Sequence, residues 1–214
     1  MDKLIPIDQA VAKIKDGMTL MIGGFLSNGT PEKLIDALVR SGVGNLTVIC
    51  NDTSFPDRGI GKLIVSRQIK KLYTSHIGTN PETGEQLNAG RIEIEFCPQG
   101  TLAERIRAGG NGLGGILTLT GLGTMVAEGK RIINVGGKDY LLETPLRADV
   151  ALIGASMGDR SGNLVYRGTS QNFNPVMASA ADVVIAQVRE LVETGAIPAE
   201  NVRTPAIFID YIVN

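Results

Sequence analysis

Apolar residues fall along the chain in short blocks separated by polar and glycine-containing segments. Thr19–Ile22, Leu46–Cys50, Lys71–Ser75, Ile92–Phe96, Ile116–Leu119, Val150–Ile153 and Val183–Ala186 all have strand length. Most are near-continuous rather than alternating, as strands covered on both faces are. Helical spacing separates several of them. Across Pro31–Ser41, Leu34, Ile35, Leu38 and Val39 share one face, which predicts a helix with Thr30 as N-cap, Pro31 in first position and Gly42 as its stop. Thr101–Arg107 predicts another: Thr101 and Glu104 have capping-box spacing, Leu102 and Ile106 sit four apart, and Gly109 follows as a stop. Strand, helix, strand in repetition reads as an α/β fold, an open, mainly parallel sheet flanked by helices.

The pattern changes near residue 130. Arg131–Leu142 reads as an added β-hairpin, Ile132–Val135 and Asp139–Leu142 around Gly136-Gly137. The second half then repeats a phrase, Ala148-Asp149-Val150-Ala151-Leu152-Ile153 and Ala181-Asp182-Val183-Val184-Ile185-Ala186. Two copies cannot build a solenoid, so they are expected as neighbouring strands of one sheet. No Pro/Ser-rich linker interrupts the chain, and residues 1–214 are expected to form a single domain.

Composition narrows the function classes. The 214 residues are 43% hydrophobic and 20% charged, and 21 basic against 22 acidic residues leave a net charge of −1. That balance makes no positive field for a nucleic-acid backbone, although a local donor cluster suffices for one small anion. Cys50 and Cys97 each end an apolar run and read as buried reduced thiols rather than a bridge. No run of 18 apolar residues predicts a membrane span. The N-terminus lacks a signal peptide's layout, so the cytoplasm is the expected compartment.

The 27 glycines are clustered. Gly23-Gly24-Phe25-Leu26-Ser27-Asn28-Gly29 lies between the Thr19–Ile22 strand and Thr30-Pro31. A strand–glycine loop–helix unit aims backbone N–H groups beyond the strand's carboxyl end, and paired glycines let a ligand approach the main chain. A tight connection without a ligand is the alternative reading. The P-loop pattern is absent. Gly110-Asn111-Gly112-Leu113-Gly114-Gly115 spells G-x-G-x-x-G but follows a helix and precedes a strand, the reverse of the dinucleotide-binding order. His76, the single histidine, has no nucleophile or metal co-ligand at motif spacing and reads as a structural hydrogen-bonding group. Arg105 and Arg107 could approach the phosphates of a ligand, but read first as surface ion-pairing residues, with Glu104 as neighbour.

The Asp16–Pro31 segment resembles the first-subunit signature of the 3-oxoacid CoA-transferase family: an Asp-Gly entry, a hydrophobic strand, Gly-Gly-Phe, then Gly-x-Pro. The resemblance continues through Asn51-Asp52-Thr53, Ser75–Gly84, Pro98–Gly110, Pro145–Ile153 and Asn172-Phe173-Asn174-Pro175, so it covers nearly the whole chain. Asn80-Pro81-Glu82-Thr83-Gly84 and Gly114–Thr118 look most like the bacterial acetate/butyrate–acetoacetate α subunits of that family.

The resemblance implies covalent exchange of CoA between short-chain carboxylic acids through a glutamyl-CoA thioester. It also implies a β-type partner subunit in an α2β2 assembly, because the nucleophilic Glu lies in a Ser-Glu-Asn-Gly motif and no Ser-Glu pair occurs here. Glu143 lacks the glycine elbow that would expose a reactive carboxylate. By resemblance, Gly23–Gly29 contributes to CoA binding, and Asn51 and Gln99 contact the substrate as neutral amide donors. Read without the family, the same two amides cap loops. No permanently bound cofactor or metal is implied; the CoA thioester is a substrate. A succinyl-CoA or 3-oxoadipate transferase subunit, an acyl-CoA hydrolase and a non-catalytic acyl-CoA-binding module stay open as alternatives.

Overall fold

In the computed structural model, which describes residues 2–214, the chain begins with α1 (Ile7–Val11), β1 (Thr19–Ile22), α2 (Glu32–Ser41), β2 (Leu46–Ile49), α3 (Gly61–Val65) and β3 (Ile69–Thr74). It continues through α4 (Pro81–Asn88), β4 (Glu93–Phe96), α5 (Gln99–Gly110), β5 (Ile116–Thr118), β6 (Ile132–Val135) and β7 (Lys138–Glu143). Then come β8 (Ala148–Asp159), β9 (Leu164–Val165), α6 (Asn174–Ala178), β10 (Ala181–Val192) and β11 (Tyr211–Val213). The main sheet has the order β11-β10-β8-β1-β2-β3-β4 with all neighbours parallel, and β9 pairs antiparallel with β8.

Helices cover both faces, which explains the continuous apolar strands. Leu20, Ile22, Val48, Cys50, Val150 and Leu152 pack with Leu34, Ile35, Leu38, Leu63 and Ile64 of α2 and α3. Their strand neighbours Met21, Ile49, Ala151 and Ile153 pack on the other face with Leu102 and Ile106 of α5 and Met177 of α6. Burial of Leu34, Ile35 and Leu38 contributes roughly 1.5–3 kcal/mol each, which outweighs the weak intrinsic stability of a ten-residue helix. The two copies of the repeated phrase are neighbouring strands as expected, with Ala148 opposite Ala181 and Ile153 opposite Ala186. Both strands run well beyond the apolar blocks that announced them.

The hairpin is present, with Gly136 and Gly137 both at positive φ (60° and 79°), as its two-residue turn requires. It belongs to a three-stranded antiparallel sheet, β5-β7-β6, so Ile116–Thr118 joins this layer rather than the parallel sheet.

Both expected helix caps differ from the sequence reading. Pro31 and Pro98 occupy the cap positions of α2 and α5, and neither helix has a side-chain cap from its own segment. The N–H groups of Lys33 and Leu34 are accepted instead by Gln187 Oε1 of β10, at 2.9 and 3.2 Å. Thr101 sits in the third position of α5, with its hydroxyl buried and unpartnered. Gly109 lies within that helix rather than ending it, and is a packing contact, since a Cβ there would stand 1.9 Å from the Leu146 carbonyl oxygen. Gly42 does end α2, in the left-handed region at φ 70°.

Arg107 pairs with Glu104 at the surface as expected, but Arg105 is buried. Its guanidinium donates to Glu95 (2.6 Å) and to the Thr144 carbonyl (2.8 Å), and lies 3.7 Å from Glu143. Glu143, 1% exposed, also binds Lys130 at 2.6 Å, so its carboxylate is buried and engaged. This cluster ties β7 to α5 and floors a cleft of about 870 Å³ beside edge strand β4. Cys50 and Cys97 are free and buried, and burial pushes both thiols up. Among the described residues no helix is long and apolar enough to cross a membrane, and no group of three His, Cys, Asp or Glu side chains could hold a metal.

Arg105→Ala leaves Glu95 without its partner and the buried Glu143 with Lys130 alone, and is expected to cost about 3–5 kcal/mol of stability. Denaturant unfolding of the purified chain checks this; an unchanged midpoint would mean that the cluster is solvated and carries no stability.

Candidate active site

Strands β1, β2, β3 and β4 are consecutive neighbours, so the segments leaving their carboxyl ends lie side by side. Open parallel sheets place ligands there. The four segments are Gly23–Gly29, Asn51–Ser54, Ser75-His76 and Pro98-Gln99.

The first is a small hairpin. Phe25 and Asn28 exchange backbone hydrogen bonds of 3.0 and 2.9 Å around Leu26 and Ser27, both at positive φ. Its glycines are required by the chain's own packing. A Cβ on Gly23 would stand 1.8 Å from Asn174 Oδ1, one on Gly24 2.0 Å from Thr30 Oγ1, and one on Gly29 2.3 Å from the Ser170 carbonyl. The space expected for a ligand against the double glycine is therefore filled from within. What the loop offers outward is its turn, where Phe25 and Asn28 are exposed.

Asp52, buried behind that turn, accepts from Leu26 N at 3.0 Å and Ser54 N at 2.7 Å, and the Ser27 and Ser54 hydroxyls meet. One carboxylate thereby joins the first two segments.

Asn51 and Gln99 are brought into direct contact. Gln99 Nε2 donates to Asn51 Oδ1 at 2.6 Å, and Asn51 Nδ2 donates to the Gly24 carbonyl at 2.9 Å. The Ser75 hydroxyl lies between Gln99 Oε1 and the Asn51 carbonyl. Asn51 is 1% exposed, whereas Gln99 is exposed. Each primary amide has two N–H donors, and among the described residues one on each side chain is unused. Gln99 is also the first residue of α5, whose opening N–H groups have no side-chain cap. An exposed amide at an uncapped helix N-terminus can stabilise an oxyanion. The N-terminus of α2 cannot act in the same way, because Gln187 occupies it.

The nearby carboxylates are committed. Asp52 holds two backbone N–H groups and Glu95 holds Arg105. His76 is exposed on the β3 loop, and its imidazole makes no hydrogen bond among the described residues, so the expected structural bond is not there.

Sequence reasoning missed Asn172 and Asn174 as supports of the site. Asn172 Oδ1 accepts from Gly24 N (3.1 Å) and Phe173 N (2.8 Å), while its Nδ2 donates to the Asn28 and Thr169 carbonyls (3.0 and 2.9 Å). Asn174, fully buried, donates to the Gly29 carbonyl at 3.1 Å and accepts from Gly154 N at 3.0 Å. The available signal was two asparagines flanking Phe173 just ahead of a proline; their partners, some 148 residues away for Gly24, were not readable.

A family model described as coenzyme A transferase matches residues 5–214. The chain is 54% identical to the acetoacetyl-CoA:acetate/butyrate CoA transferase alpha subunit of Clostridium acetobutylicum, over 99% of this chain and 97% of that one. It is 51% identical to the acetate CoA-transferase subunit alpha of Escherichia coli K12, over 99% and 96%. Among solved structures, an acyl-CoA transferase from E. coli O157:H7 in a thioester complex with CoA superposes with a TM-score of 0.89. That pair shares 24% identity and the match covers 99% of this chain but 47% of the other, so the chain spans about half of that protein and the likeness concerns the fold.

Asn172 has φ 23°, which glycine tolerates, so Asn172→Gly removes the side-chain clip with little backbone strain. The variant is expected to lose about 1–3 kcal/mol and to exchange the Gly24 and Asn28 amide protons faster, with Leu20 and Met21 of β1 unaffected. Hydrogen exchange read by NMR decides it; wild-type protection at Gly24 would mean that the clip does not hold the loop.

Proposed function

The chain belongs to the coenzyme A transferase family, and on that premise we propose that it is the α-type subunit of a short-chain acyl-CoA:carboxylate CoA-transferase exchanging CoA between acetoacetate and acetate or butyrate. In this reading residues 1–214 work as one unit. The observation that carries it is the Asn51–Gln99 amide pair at the mouth of an uncapped helix, set among carboxylates that are all otherwise engaged.

The chemistry follows from what these groups can do. When a carboxylate attacks a thioester, negative charge develops on the carbonyl oxygen. Neutral amide N–H donors and a helix N-terminus stabilise that charge without holding the substrate carboxylate in a permanent ion pair. CoA leaves as the thiolate, which gives a mixed anhydride between the acyl group and the attacking carboxylate. The thiolate then attacks the carbonyl of that carboxylate, releasing the first acid and leaving CoA as a thioester on the protein. The second acid recovers CoA through the same steps in reverse. One thioester replaces another, so the exchange is nearly thermoneutral and needs no nucleoside triphosphate. The attacking carboxylate belongs, in this proposal, to a β-type partner with a Ser-Glu-Asn-Gly motif, two copies of each subunit forming the assembly. The hairpin turn Phe25–Asn28 presents its exposed edge to CoA.

The surface supports a partner. Leu113, Leu117, Leu119, Met125, Ile132 and Val135 are all exposed on or beside the small antiparallel sheet. An apolar patch of this kind is usual for a surface that another subunit covers.

Two outcomes are expected from one experiment. Co-expressed with a β-type subunit, the chain supports CoA transfer from acetoacetyl-CoA to acetate or butyrate; purified alone it does not. In the assembled enzyme Asn51→Ala and Gln99→Ala each lower kcat at least about tenfold while sizing shows the complex intact, the scale of one lost transition-state hydrogen bond. Transfer by the lone chain removes the need for a partner nucleophile; wild-type rates in both variants remove the amides from the site.

A further inference from the structure

Strands β8 and β10 run on past the point where β1 ends, and their extension forms one wall of a groove of about 380 Å³. Ser156 of β8 and Arg189 and Glu190 of β10 lie on it; Asn28 and Gly29 of the glycine hairpin close one side, and Arg167, Thr169 and Ser170 the other. The floor is fixed. Ser156 Oγ accepts from Arg167 N at 2.9 Å and lies 3.3 Å from Ser170 Oγ, which donates to the Arg167 carbonyl at 2.7 Å. Gly154 lets the hairpin cross β8 closely, because a Cβ there would meet the Gly29 carbonyl at 2.3 Å.

The charges in this groove do not balance. Arg167 faces Glu190 at 3.6 Å, too long for a hydrogen bond, and Arg189 makes no ion pair or side-chain hydrogen bond among the described residues. Two guanidiniums against one carboxylate, above a row of hydroxyls, are a donor set for a phosphoryl group.

We propose that this groove binds a phosphate of the CoA substrate, with Arg189 and Arg167 as its ligands. The inference rests on the transferase reading above and adds to it the place where the nucleotide end of CoA is held. Position selects CoA over the acid substrates. From β2, whose carboxyl end leads to Asn51, to β10 is three strand spacings, on the order of 14 Å. Acetate or butyrate reacting at Asn51 cannot reach that far, whereas a pantetheine arm laid along the Phe25–Asn28 turn can. An acidic segment of a partner subunit is the competing occupant.

The test uses the assembled enzyme and three acetoacetyl thioesters, those of CoA, dephospho-CoA and pantetheine. Arg189→Gln is expected to raise KM for the CoA thioester about ten- to a hundredfold, the scale of a lost charge-assisted hydrogen bond, and to leave KM for the pantetheine thioester and for the acid unmoved. Arg167→Gln is expected to act in the same direction. Loss with CoA alone assigns the 3′-phosphate, and loss with CoA and dephospho-CoA assigns the diphosphate; both support the site. An equal loss with the pantetheine thioester, an unchanged KM for CoA, or dissociation of the subunits on sizing overturns it. Wild-type enzyme that transfers no CoA from any thioester refutes the transferase reading instead, so the two failures are distinct.

Discussion

The peptide of Gly24 is gripped at both ends, its N–H by Asn172 and its carbonyl by Asn51. It lies where β1 stops and the sheet no longer supplies partners, and a peptide left unpaired at such a place costs free energy comparable to a lost hydrogen bond. Two asparagines solve this from far apart in sequence. Because Asn51 spends one donor on Gly24, its oxygen is turned toward Gln99, and Gln99 is turned toward Ser75. The shape of the hairpin, the orientation of both amides and the start of α5 therefore depend on one continuous polar chain. Donors fixed in advance in this way suit the oxyanion that the proposed reaction would develop.

Two helices that start at the sheet's carboxyl end, α2 and α5, consequently differ in what their N-termini offer. At α2 the first N–H groups are consumed by Gln187, and the glycines ahead of it are contact points for Asn174, Thr30 and Ser170. At α5 a proline opens the helix and no side chain caps it, so its field is available to a ligand. The electrostatic centre sits over β2, β3 and β4, while the glycine hairpin is a rigid wall beside it.

A second polar cluster does different work. Arg105, Glu95, Glu143 and Lys130 fasten the small antiparallel sheet to the body through charges rather than through a core. That sheet buries Leu141 but leaves much of its apolar surface outside. It is anchored on one side and uncovered on the other, and its uncovered side fits the partner invoked by the proposed reaction.

Local pattern alone determined a good deal. Continuous apolar blocks announced the parallel strands, Gly136-Gly137 announced the hairpin, and the repeated Ala-Asp phrase announced that β8 and β10 are neighbours. These features depend on neighbouring residues and on burial on two faces, both readable along a line. Identity of residue type also pointed to Asn51 and Gln99, through a family likeness. Only tertiary structure decided that these two touch, that Pro31 and Pro98 displace Thr30 and Thr101 from the caps, that Arg105 is buried, and that Gly109 is a packing contact. It alone decided that Asn172 and Asn174 hold the loop and that Arg167 and Arg189 share a groove. Each depends on a partner from a distant segment, and hydrogen bonds and steric contacts across the sheet leave no periodicity in the sequence.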